Sequence, residues 1–96
     1  MSLILLQDGF GNDKFFPADS ELRIHCTSVS QGTRYIYLQY LDMPFGFRKI
    51  SRNNVLSLAP HERKCIESRL EEIDQGLFDD DSKVQHLHHL LDTPPN

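Results

Sequence analysis

Apolar and polar residues alternate through the first half of the chain and recur every three or four residues through the second. The opening stretch Met1–Asp8 contains Leu3-Ile4-Leu5-Leu6 and reads as a first strand. Asp8-Gly9-Phe10-Gly11-Asn12-Asp13-Lys14 has the composition of a turn and leads to Phe15-Phe16-Pro17. In Glu21–Thr27 the residues Leu22, Ile24 and Cys26 alternate with polar neighbours, the period of a half-buried strand. Ser30-Gln31-Gly32 supplies a hairpin loop. Thr33–Leu41 is rich in β-branched and aromatic residues, with Ile36, Leu38 and Tyr40 on one face and Tyr35, Tyr37, Gln39 and Leu41 on the other. Asp42-Met43-Pro44 interrupts it, Phe45–Ile50 reads as a fourth strand, and Asn53-Asn54 as a turn.

From Ser57 the period changes. Ser57 is a candidate N-cap and Pro60 suits a first helical turn, where a missing N–H had no partner to lose. Cys65, Ile66, Leu70, Ile73 and Leu77 then recur at helical spacing, with Gly76 as the stop. Asp79-Asp80-Asp81-Ser82 offers caps for a short last helix carrying Val84, Leu87, Leu90 and Leu91, before the tail 93–96. These elements predict one α+β domain over 1–96, strand-rich over 1–56 and helical over 57–92. The expected architecture is an antiparallel sheet of three to four strands, packed by one long helix and followed by a short terminal one. The sheet face bearing Tyr35 and Tyr37 then serves a partner or lies under the last helix.

Composition narrows the function. At 96 residues the chain supports one modest core, which leaves out multidomain enzymes and doubly wound nucleotide folds. Its net charge of −4 is uneven: through Ser57 five acids face six bases, and from Leu58 nine acids face four. Such a balance disfavours general nucleic-acid coating or anionic-membrane docking. There is no apolar run of membrane-spanning length and no signal-peptide pattern, so a cytoplasmic location with reduced Cys26 and Cys65 is expected.

Candidate chemistry is thin. His61 and Cys65 stand four apart on the expected long helix, and with Cys26 they form a weak zinc set, His25 or water completing it. Paired short spacings are missing, and adjacent His25 and Cys26 point to opposite strand faces, so buried thiols are the expectation. His86 and His89 fit a polar helix face. Leu87-His88-His89-Leu90-Leu91 resembles the LxxLL docking box, but the same leucines serve to pack the helix. Gly9-Phe10-Gly11 lacks the rest of a dinucleotide fingerprint, Asp79-Asp80-Asp81 lacks the spacing of a calcium loop, and a Cys65–His61 nucleophile pair has no orienting third group. Neither a catalytic site nor a cofactor is expected.

Two binding surfaces stand out. Glu67, Glu71, Glu72 and Asp74 line an acidic helix face suited to a partner with a basic surface, and Tyr35 and Tyr37 suit a protein contact or a homodimer. Arg34, Phe47, Arg48, Lys49 and Arg52 instead suit RNA or single-stranded DNA, stacking bases and pairing phosphates. Protein binding, as a regulator, inhibitor or adaptor, is the leading expectation.

Overall fold

The computed structural model describes residues 2–92, with side chains described through Leu90. Met1, the side chain of Leu91 and the expected tail 93–96 lie outside the described residues. Five strands form two antiparallel sheets: β1 (Leu3–Gln7) with β2 (Asp13–Pro17), and β3 (Leu22–Ser30), β4 (Thr33–Tyr40) and β5 (Phe47–Ser51) in that spatial order. A 3-10 segment, Arg52–Ser57, leads to the helices α1 (Pro60–Glu67), α2 (Leu70–Asp74) and α3 (Asp81–Asp92). The α+β class holds; β3, β4 and β5 form a three-stranded antiparallel sheet, and the expected first strand pairs apart from it, with β2, in a second sheet of two strands. Phe15-Phe16-Pro17 belongs to β2, which the turn-like residues before it concealed.

Each hairpin is set by local chemistry. Asp8 accepts the backbone N–H of Phe10 and of Asn12 on its carboxylate, folding the loop between β1 and β2. Gln31 and Gly32 both take positive φ, 51° and 79°, in the two-residue turn between β3 and β4, whose twist matches the strands it joins. Phe45 sits at φ 54° in the next turn, so β5 begins at Phe47 and not at Phe45.

The expected long helix is broken. Ser68 donates its hydroxyl to the carbonyl of Cys65, and Arg69 leaves helical geometry at φ −126° and ψ 18°. The break turns α2 so that Ile73 and Ile66 both reach the sheet. Ser57 ends the 3-10 segment and does not cap α1, which starts behind Ala59 with Pro60 in its first turn. The last helix, α3, is the longest at 12 residues.

The three-stranded sheet is covered on both faces. Ile36, Leu38 and Ile50 pack with Val55, Ile66 and Ile73 on one side; Cys26, Tyr37 and Phe47 pack with Leu87 of α3 on the other. The aromatic face therefore lies under the last helix, with Tyr37 and Phe47 buried. A bulge assigns the faces along β3. Ile24 opposes Leu38, but Cys26 opposes Tyr37, so the chain gains one residue at His25 and every later side chain changes side.

Candidate functional site

The bulge separates the two thiols. Cys26 joins the cluster beneath α3, whereas Cys65 packs beside Ile24 against the opposite cluster. The expected weak zinc set of Cys26, His61 and Cys65 therefore does not converge. Burial pushes the Cys26 thiol up to about 11 and raises that of Cys65, which keeps both protonated and poorly nucleophilic at neutral pH. His25 turns toward α3, its ring edge-on to Phe47 at 5.1 Å.

A different constellation occupies the core. Arg48 of β5 donates from Nε to Glu62 Oε2 at 2.7 Å and from Nη2 to Oε1 at 2.9 Å, a two-pronged pair with Glu62 fully buried. Tyr40 of β4 donates its hydroxyl to Glu62 Oε2 at 2.8 Å. Having spent its one proton there, the Tyr40 oxygen can only accept at His61 Nε2, 3.0 Å away, which fixes the Nε2–H tautomer of His61. Burial and the Glu62 carboxylate both raise the Tyr40 phenol well above its ordinary range. Arg48 Nη1 meanwhile donates to the Gln7 carbonyl at the end of β1, 2.8 Å away. One guanidinium thus joins β5, α1 and β1.

Sequence reasoning missed Glu62 and placed Arg48 on a surface. Both carried a signal. Glu62 stands four residues before Ile66 and eight before Leu70, on the apolar stripe of the helix, and Arg48 shares strand parity with buried Ile50. A charge at an inward position of a strand and its opposite at an inward position of a helix mark a buried pair.

The other basic residues are likewise engaged. Arg34 donates to both Asp79 oxygens, at 3.2 and 3.0 Å, and to the Asp74 carbonyl, while Arg52 pairs with the Asp74 carboxylate at 2.8 and 3.1 Å. Lys49 lies over the Tyr35 ring, 4.5 Å from its centre. With Phe47 buried as well, these side chains form no open stacking platform. On the acidic face Glu67 pairs with Arg63, Glu72 with Arg69 and Asp74 with Arg52, and Glu71 accepts from Gln75. The α-helical acids are in large part neutralised by the chain's own arginines.

Three of the exposed large apolar side chains gather on the outer face of the β1–β2 hairpin. Its inner side chains pack inward: Phe16 is fully buried, its ring 4.6 Å from that of Tyr40. Its outer face shows Leu3, Leu5 and Phe15 at 57, 55 and 59% exposure. Leu5 and Phe15 are cross-strand partners, and Leu3 opposes Pro17. Among the described residues no helix is long and apolar enough to cross a membrane. No protein-family model matches the chain, and neither does a curated protein or a solved structure.

Proposed function

We propose that this chain acts in the cytoplasm by binding another protein, as a regulator, inhibitor or adaptor, and not as a catalyst. The observation that carries this reading is the apolar hairpin face of Leu3, Leu5 and Phe15, held to the body by Arg48. Apolar side chains more than half exposed on a regular strand pair are costly to leave in water, and a partner that covers them recovers that cost. The face carries a single charged residue, Asp13 at one end, so the partner it suits is apolar and weakly charged. Because the guanidinium fixes the end of β1, little ordering is left to accompany binding. The acidic helix face, the first expectation, is the less suited surface because Glu67, Glu72 and Asp74 already have arginine partners. The catalytic reading lacks support because Glu62 is sealed in the core and the thiols are held protonated.

Affinity purification of tagged full-length protein from its native cytosol, with and without nuclease, tests this. Proteins that survive nuclease and are lost with Phe15→Glu are the expected result. A set of partners unchanged by Phe15→Glu overturns the hairpin reading, and partners lost to nuclease alone favour a nucleic-acid role.

A further inference from the structure

The backbone of β1 carries a second feature, at its edge. Asp8 N–H bonds to the Asn12 carbonyl and Ala18 N–H to the Ser2 carbonyl, both in the register that pairs Leu3 with Pro17. Antiparallel ladders alternate bonded and unbonded pairs, so Ile4 and Leu6 bond to β2, and Leu3, Leu5 and Gln7 turn their N–H and C=O outward. The Gln7 carbonyl is taken by Arg48. The outward groups of Leu3 and Leu5 have no partner among the described residues.

The other edges carry protection of different kinds, and β5, the second edge of the larger sheet, bears Arg48 and Lys49 along its length. At the outer edge of β3, Thr27 N–H bonds to the Phe78 carbonyl and Asp80 N–H to the Thr27 carbonyl, so the chain's own backbone closes that edge at Thr27. Along β2 stand Asp13, Lys14 and Pro17, residue types that discourage strand addition. By contrast β1 reads Leu-Ile-Leu-Leu-Gln, without charge or proline.

We propose that the outer edge of β1 pairs antiparallel with the same edge of a second copy, giving a four-stranded sheet in the order β2-β1-β1-β2. The occupant follows from the register. A two-fold axis at Ile4 sets Leu3 of one copy opposite Leu5 of the other, and the four outward N–H groups and four outward C=O groups reduce to four mutual hydrogen bonds. No like charges meet at the seam, although each copy carries a net charge of −4. The leucines of both copies come side by side, and the apolar face doubles in width without being closed. The pairing uses the edge of the hairpin, so it stands whether or not the face takes another protein.

Sedimentation equilibrium of the full chain across micromolar to millimolar concentration, with amide hydrogen exchange at both ends of that range, tests the pairing. A reversible monomer–dimer equilibrium is expected, with the Leu3 and Leu5 amides exchanging more slowly as the dimer fills. Leu5→Pro removes an outward N–H while sparing the inner ladder and should weaken the dimer by about tenfold or more. Leu5→Lys, which keeps the backbone intact and puts a charge at the seam, should do the same. A monomer at every concentration overturns the proposal, as does a dimer that both variants leave intact.

Discussion

Arg48 and Glu62 are two charges that the fold removes from water, and the removal is tolerated because the hydrogen-bonding capacity between them is matched. Three donors meet the Glu62 carboxylate and the remaining Arg48 nitrogen reaches a carbonyl. A pair of this kind adds little net stability over an apolar isostere, but leaving one member alone is severe. Arg48→Met should therefore destabilise by about 3–5 kcal/mol, whereas Arg48→Met combined with Glu62→Leu should recover a large part of that loss. Tyr40→Phe removes one hydroxyl from the same network and should cost about 1–2 kcal/mol. Denaturant unfolding of the four proteins checks this, and equal losses in the single and double variants would contradict it. The charges were visible in the sequence; their burial depended on strand parity and helix phase acting together.

At the scale of elements, the bulge at His25 decides more than any other single position. Alternation along Leu22, Ile24 and Cys26 is real in the sequence and ends in the structure at Ile24, because one extra residue on β3 exchanges its faces. His25 itself lies beneath α3. Burial lowers its imidazole below the ordinary value, Lys83, Arg23 and His86 add to the lowering, and Asp80 opposes it. A group that resists protonation when folded loses stability as pH falls through its unfolded value, near 6.5, because the unfolded chain then takes the proton more readily. The stability contribution is present above that pH and declines below it. Thermal melts at pH 7.5 and 5.5 should show a smaller decline in His25→Gln than in the wild type. Equal declines would remove His25 as the cause. The helical period of residues 60–77 was legible too, but the Ser68–Arg69 break was not, since a serine hydroxyl caps a carbonyl only when the chain has room to turn there.

Across the whole molecule, the three-stranded sheet lies between α1 and α2 on one face and α3 on the other, and the segment from Asp74 to Asp80 connects the two sides. Two carboxylates anchor it. The Arg52 guanidinium holds Asp74 below the usual carboxylate range, and Arg34, helped by Thr27, does the same for Asp79. Carboxyls with depressed values contribute stability above their unfolded value, near 4, and lose it as pH falls through the folded one. Both are well exposed, so the effect is modest. Asp79→Asn should flatten the acid side of the stability curve below about pH 4 while lowering stability at neutral pH. A chemical-denaturation series from pH 7 to pH 3 reads this directly, and an acid limb of unchanged slope would refute it.

The sequence by itself determined the mixed α+β character, the alternation of β4, the Gln31-Gly32 hairpin and the turn at Gly76 that follows α2, because each follows from short-range sterics and hydrogen bonding. The placement of Tyr35 and Tyr37 on a shared face was equally local, since strand parity alone sets it. Tertiary structure decided what covers each face: α3 over Tyr37 and Phe47, the hairpin over Tyr40, and Glu62 on Arg48. It also decided that Leu3, Leu5 and Phe15 remain open. An apolar residue in the sequence announces only that burial would be favourable. Whether something reaches it depends on contacts between segments far apart in the chain, and those depend on a bulge and a helix break whose effects extend beyond their own neighbourhoods.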